Sequence, residues 1–166
     1  MAQEATSGTA KVTLPTDEQI LITREFDAPK TLVYKAWTTP ELVERWWSGR
    51  RGKVTSAEID LRVGGRWRYV MEAHGGFEVA FHGEYREIVP NERIVTTEVY
   101  EGAPDASDEG AALNTITFSE EQGRTTLEVL VDAGSKEVRD TILESGMEVG
   151  MQESFDLLEQ VAISLR

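Results

Sequence analysis

The residues that could carry acid–base chemistry are few, because the chain has two histidines and no cysteine. His82 alternates with Glu84 in a strand-like segment, and a His–Glu pair can act as a proton-transfer dyad. An exposed cross-strand pair is the more common role for such residues, and no third ligand completes a zinc-type cluster. The lack of cysteine excludes disulfides and thiolate ligands. We therefore expect neither a metal nor a cofactor.

Two charged residues fall on otherwise apolar strand faces. Arg24 shares a face with Phe26, and Glu98 shares one with Tyr100, two residues further on. A charge on an apolar face either lies at a binding site or is paired with an opposite charge. We favour a structural salt bridge for both Arg24 and Glu98, and we also keep Glu98 as a candidate ligand-binding residue.

A set of aromatic and methionine side chains could line an apolar ligand site. Residues of these types are usually buried for packing, whereas a pocket would combine them with a few polar groups. The flexible thioether of methionine slightly favours the pocket. The candidates are Trp46, Trp47, Trp67, Tyr69, Phe81, Met147, Met151 and Phe155, to which Glu98 adds the polar group.

The longest element is a C-terminal helix predicted from about Gly146 to Leu165. Met147, Met151, Ser154 and Leu158 recur at steps of three and four residues, which places them on one helix face. Gly146 interrupts the helical region that begins after Ser135. Gly146 and Gly150 either allow close packing or leave space for a ligand, and the sequence leaves both alternatives open.

The remaining chain predicts a sheet. A strand over 19–26 precedes two short helices, in which Pro29 and Pro40 mark the first turns. Period-two patterns from Lys53 to Asp132 predict antiparallel strands, with a bulge between Tyr85 and Ile88. We predict an α+β helix-grip fold, in which a curved antiparallel sheet wraps around the long C-terminal helix. A cavity is expected between them.

Length, charge and composition limit the class of protein. The 166 residues predict one domain over 11–166 after a disordered tail over 1–10, with a mobile acidic loop over 102–112. The net charge of −13 argues against nucleic acid and anionic membranes. No secretion signal or apolar run of membrane-spanning length is visible. We expect an acidic, cytoplasmic protein without membrane insertion.

Several short motifs, in this order and spacing, resemble the C-terminal domain of the activator of heat-shock protein 90 ATPase, a branch of the START-like (SRPBCC) superfamily. The motifs are ITREFDAP at 22–29, WW at 46–47, DLRVGGRW at 60–67, GEY at 83–85, PNER at 90–93 and SGMEVG at 145–150. The resemblance covers about residues 18–165. It implies a helix-grip fold in a superfamily whose members bind lipids, hormones and polyketides.

The leading functional hypothesis is therefore binding of a small apolar or amphipathic ligand between the sheet and the C-terminal helix, without a reaction. One alternative is a cyclase or hydrolase, which needs an inward-facing acid–base pair. The discriminating observation is whether His82, Glu84, Glu98 or Arg24 points inward, because His82 or Glu98 on the outer face would leave little chemistry available. Another is an interaction module, either a homodimer or a co-chaperone. The activator that the chain resembles engages its chaperone through a second domain, for which we expect no room here.

Overall fold

Eight antiparallel strands form one sheet in the part of the chain that the computed structural model describes, residues 9–102 and 111–166. They are β1 (Lys11–Thr13), β2 (Gln19–Phe26), β3 (Gly52–Ile59), β4 (Arg66–Ala73), β5 (Glu78–Val89), β6 (Arg93–Tyr100), β7 (Ala112–Glu121) and β8 (Arg124–Asp132). Their order across the sheet is β1-β2-β8-β7-β6-β5-β4-β3. The chain thus moves from β2 to the far edge at β3 and returns strand by strand to β8.

Four helices complete the described fold: α1 (Lys30–Thr38), α2 (Pro40–Trp46), α3 (Lys136–Glu144) and α4 (Met147–Ser164). The backbone of Pro29 is extended before α1, and Pro40 occupies the first turn of α2, where a missing N–H breaks no helical bond. Gly146 has a left-handed backbone (φ +83°) that separates α3 from α4. The break predicted in the C-terminal helical region is confirmed.

The inner face of the sheet, which packs against the helices, carries the core. Alternate residues of each strand point to this face, so the period-two apolar pattern buries one side of every strand. From α4, the buried side chains Phe155, Leu158 and Val161 contribute to the same core. The predicted helix-grip architecture is confirmed, with a curved open sheet against a long C-terminal helix.

Arg24 joins β2 to α4. Its side chain is only 1% exposed, and its two terminal nitrogens lie 2.9 Å from Asp156 Oδ1 and 3.2 Å from Glu159 Oε1. The guanidinium carbon also lies 5.0 Å from the centroid of the Phe26 ring. The salt-bridge interpretation of this residue is therefore confirmed, and the bridge fixes the position of the helix on the sheet.

The ends of some elements differ from the sequence prediction. The bulge in β5 lies between Tyr85 and Glu87, as expected. Strand β3 ends at Ile59 instead of Val63, because 60–65 forms a loop in which the Gly65 N–H donates to the Arg62 carbonyl oxygen. No helix among the described residues has the length and apolar character needed to cross a bilayer.

Two segments that the sequence predicted to lack regular structure fall mostly outside the described residues. These are 1–8 of the predicted tail and 103–110 of the acidic loop, with Asp105, Asp108 and Glu109. Ala10, at the end of the predicted tail, is buried, and both of its backbone polar groups bond to the Gln152 amide at 2.9 Å. The ordered domain therefore includes Ala10.

Candidate functional site

Five aromatic rings form a continuous series on the inner face, from β4 to the end of β6. We call them the open cluster: Trp47, Trp67, Tyr69, Phe81 and Tyr100. Their ring centroids lie 4.7 Å apart from Trp67 to Tyr69, 5.4 Å from Tyr69 to Trp47, 5.7 Å from Trp47 to Phe81 and 5.1 Å from Phe81 to Tyr100. The sheet register explains the contacts, because Tyr69 pairs with Phe81 and Phe81 pairs with Tyr100.

Exposure increases along the open cluster. Trp67 and Tyr69 are buried, Trp47 and Phe81 are half-buried, and Tyr100 is 47% exposed. Near the start of α4, Met147 and Met151 are also half-buried and pack against the core. The rings therefore form an apolar surface that reaches solvent at one end.

A polar pair lies on the same face. Glu98 of β6 and Asn114 of β7 are on adjacent strands, and the Asn114 side-chain N–H donates to Glu98 Oε1 at 3.0 Å. Asn114 is only 8% exposed, and its Oδ1 is a buried acceptor without a hydrogen-bond partner among the described residues. An unpaired buried carbonyl oxygen costs about 1–3 kcal/mol. The pair thus offers acceptors that the protein itself does not satisfy.

The electrostatics of the polar pair are dominated by burial. Loss of solvent raises the pKa of the Glu98 carboxyl, and the hydrogen bond from Asn114 offsets this only in part. Burial also raises the pKa of Tyr69 well above its ordinary value, with further increases from Tyr85 and Glu98. The strand register connects the polar pair to the open cluster, because Asn114 pairs with Thr96, and Thr96 accepts the bond from the Trp67 indole.

The indole of Trp67 is fixed beneath this surface. Its N–H donates to Thr96 Oγ1 at 2.7 Å, and both residues are buried. Gly83 of β5 makes the arrangement feasible, since a Cβ there would lie 2.6 Å from the indole nitrogen and overlap the carbonyl oxygen of Thr97. Any side chain at position 83 would displace the indole or the strand.

A second group of rings packs between the helices and the other part of the sheet. This closed cluster consists of Phe26, Tyr34, Trp37, Trp46, Phe118 and Phe155, with neighbouring centroids 5.1 to 6.2 Å apart. All but Trp37 are buried, and the Trp46 indole N–H donates to the Ala36 carbonyl oxygen at 2.9 Å. The cluster is part of the core.

Of the nine side chains predicted for a ligand site, the structure brings five together. Trp47, Trp67, Tyr69, Phe81 and Glu98 lie at the open cluster, while Trp46 and Phe155 lie in the closed cluster. Met147 and Met151 are half-buried on the first turns of α4.

A family model described as Activator of Hsp90 ATPase homolog 1-like protein matches residues 27–162. The chain belongs to this family. The match covers every element from α1 to the last turns of α4, and the fold is START-like, in agreement with the resemblance found in the sequence motifs. No curated protein matches the chain.

Several solved structures share the fold of this protein at low sequence identity. A protein from Rhodobacter sphaeroides is 23% identical with a TM-score of 0.85, over 93% of this chain and 98% of that one. A protein from Mycobacterium smegmatis is 22% identical with a TM-score of 0.81, over 92% and 96%. An AHSA1-like protein from Aeromonas hydrophila is 21% identical with a TM-score of 0.66, over 87% and 93%.

His82 lies on the outer face of the sheet, in a cluster of charged side chains. His82 Nδ1 lies 2.7 Å from Glu101 Oε2, and Arg68 donates two bonds of 2.9 Å to the same carboxylate. The bonds from Arg68, followed by that from His82, lower the pKa of Glu101 to about 2. His82 thus pairs with Glu101 across adjacent strands, on the face of the sheet opposite the open cluster.

Two recesses of the described chain lie outside the sheet–helix interface. One, of about 360 Å³, is lined by Glu58, Arg66, Trp67, Arg68 and His82; the other, of about 270 Å³, is lined by Glu25, Glu121, Gln122, Arg124 and Thr126. Neither is lined by a residue of α4. The ligand cavity predicted beneath α4 therefore stays a prediction. No group of acidic or histidine side chains within 9–102 and 111–166 could hold a metal ion.

Sequence reasoning missed two residues of the site. Asn114 interrupts the apolar inner face of β7, on which Ile116 and Phe118 follow at steps of two, and a polar residue in that pattern was a usable signal. Tyr100 continues the face of Glu98 at the end of β6, so its position beside Phe81 follows once the register is known.

Proposed function

We propose that this protein binds a small apolar or amphipathic molecule on the open cluster, between the inner face of the sheet and the start of α4. The observation that carries the proposal is the buried, unpaired Oδ1 of Asn114 beside a partly exposed aromatic surface. Ligand sites combine apolar walls with a few polar groups that orient the ligand. A ligand that donates to Asn114 Oδ1 recovers a hydrogen bond that the free protein lacks.

The surroundings of the open cluster support this proposal. Apolar area that reaches solvent costs free energy in the unliganded protein, and a ligand ring on Phe81 and Tyr100 would remove it from water. Met147 and Met151 can adjust to ligands of different shapes, because the thioether side chain is flexible.

The orientation of the titratable groups favours binding over acid–base catalysis. His82 lies on the outer face with Glu101, which leaves Glu98 without a histidine partner at the open cluster. Arg24, the other charge on an inner face, is held by Asp156 and Glu159. A hydrolase or cyclase needs a second group that takes or gives a proton, so we propose a binding protein.

Titration of the ¹⁵N-labelled protein with 1-naphthylmethanol, an uncharged aromatic probe, tests the proposal by NMR. We expect saturable shifts at the amides of Trp47, Phe81 and Tyr100. Phe81→Ala should weaken binding by about tenfold, because one ring contact is lost. Phe77→Ala is the matched control, since Phe77 is 61% exposed in the β4–β5 turn. Shifts that do not saturate, or equal losses in both variants, would contradict the proposal.

A further inference from the structure

We propose that the site selects ligands whose polar end is a protonated primary amine, held by the Glu98 carboxylate and Asn114 Oδ1. This inference rests on the proposed function, since it identifies the polar end of the same ligand. The apolar body of the ligand would lie on Trp47 and Phe81 of the open cluster.

The first argument for an amine comes from the hydrogen-bond donors and acceptors at the site. Two donors near the polar pair are already engaged: one of the two Asn114 side-chain N–H groups bonds to Glu98, and the Trp67 indole N–H bonds to Thr96. Asn114 Oδ1 is buried and unpaired, and an ionised carboxylate accepts at about four lone-pair positions, of which Asn114 uses one. The unpaired positions of the pair are thus acceptors, which favours a ligand that brings donors.

The second argument for an amine comes from the negative charge of Glu98. Within the described residues, Glu98 forms no ion pair with a lysine or arginine, and Asn114, its hydrogen-bond partner, is neutral. The buried Arg24, by contrast, has two carboxylates within 3.2 Å. Glu98 is half-buried, so its carboxylate is partly removed from water with no cation beside it, which is unfavourable. A ligand cation would supply the missing charge.

An alkylammonium group meets both requirements. It has three N–H donors and no acceptor, so it can bond to Glu98 and Asn114 together. A hydroxyl has one donor and no charge, and a carboxylate would repel Glu98. The net charge of −13 also raises the concentration of cations near the protein. The order of affinity that follows is amine, then alcohol, then carboxylate.

Three probes with the same ring system test the selection: 1-naphthylmethylamine, 1-naphthylmethanol and 1-naphthoate, titrated at neutral pH by calorimetry. We expect the amine to bind about tenfold more tightly than the alcohol, as a charge-assisted hydrogen bond implies. Glu98→Gln, which keeps an acceptor for Asn114, should bring the two dissociation constants within about twofold. Glu128→Gln removes the same charge from an exposed position on β8 and should leave the tenfold ratio intact.

The outcomes separate the two proposals. If all three probes bind at the open cluster with similar affinity, or if Glu98→Gln leaves the ratio unchanged, the amine selection is wrong and the binding function stands. If no probe binds, both are wrong. Should Glu98→Gln fail to fold, Asn114→Leu removes the unpaired oxygen in a side chain of similar size, and an unchanged ratio in that variant would overturn the selection.

Discussion

The two aromatic clusters on the inner face contain the same kinds of residues and differ in how completely they are covered. Helices α1, α2 and the second half of α4 cover the closed cluster, and its Trp46 indole finds a backbone acceptor. The open cluster ends at a half-exposed Tyr100 and adjoins the unpaired oxygen of Asn114. Aromatic content alone therefore does not distinguish the two clusters; the exposed ring and the unpaired polar atom do.

The two charged residues of the inner face, Arg24 and Glu98, show the same contrast. Arg24, next to Phe26 of the closed cluster, has two carboxylate partners from α4. Glu98, near Tyr69 of the open cluster, has one neutral partner, Asn114. The charge beside the closed cluster is therefore paired within the protein, whereas Glu98 has no cation partner among the described residues.

Truncating one ring in each cluster should give the largest difference in stability between the two clusters. Phe155 is 5% exposed, and Phe155→Ala should lower the free energy of unfolding by about 4 kcal/mol through lost burial and the resulting cavity. Tyr100→Ala should cost less than about 1 kcal/mol, because much of its ring is already in water. Urea denaturation followed by circular dichroism measures both losses. Equal losses in the free energy of unfolding would contradict the proposed difference between the clusters.

Substitution of Arg24 tests whether the charge beside the closed cluster stabilises the fold. Arg24→Ala leaves the Glu159 carboxylate partly buried without its cation, and we expect a loss of about 3 kcal/mol in the free energy of unfolding. Arg62→Ala is the control, since its 2.8 Å bond to Asp60 joins two exposed side chains and should contribute less than about 1 kcal/mol. A loss for Arg24→Ala as small as the control would mean that α4 is held by apolar contacts alone.

The fold could be predicted from the sequence because each of its signals is local. Alternation of apolar residues indicates which strand face is buried. Gly146 predicts a helix break from its residue type alone, without knowledge of its tertiary contacts. Gly150 shows where this reasoning ends. A Cβ at Gly150 would lie 2.5 Å from the Arg51 guanidinium carbon, so the glycine accommodates that side chain, a contact across about a hundred residues of chain.

The site could be predicted only in part, because it depends on register. Trp46 and Trp47 are adjacent, yet one belongs to the closed cluster and the other to the open cluster, since neighbouring helical residues point about 100° apart. The bond between Asn114 and Glu98 joins two strands whose alignment no local pattern specifies. Residue type gave candidates, and strand pairing selected among them.

The Glu98 carboxyl should make the stability of the protein depend on pH, and this dependence reports on the polar pair beside the open cluster. Because burial raises its pKa, the folded state takes up a proton before the unfolded state does as pH falls, and the cost of the buried charge disappears. Glu98→Gln should therefore raise the free energy of unfolding by about 1 kcal/mol at pH above neutral, and the gain should vanish near the ordinary pKa of 4.5. Tyr69 and Tyr85, the titratable neighbours, stay neutral over this range because their pKa values are raised.

Urea denaturation of both proteins across this pH range provides the measurement. A gain that is the same at every pH would indicate that Glu98 is neutral in the folded protein throughout. Glu128→Gln should show no such dependence, since that side chain is exposed.

The smallest effect should come from Glu101, the carboxylate of the outer face. Arg68 and His82 lower its pKa to about 2, so its contribution to stability is complete above the ordinary value of 4.5 and is lost as pH falls toward 2. Glu101→Gln should reduce the free energy of unfolding at neutral pH by less than about 1 kcal/mol, because the pair with Arg68 is largely exposed. The difference from wild type should shrink below pH 4.5, opposite in sign to that of Glu98→Gln. If Glu101→Gln also weakened 1-naphthylmethylamine as much as Glu98→Gln does, the charge that attracts the amine would not be specific to the inner face.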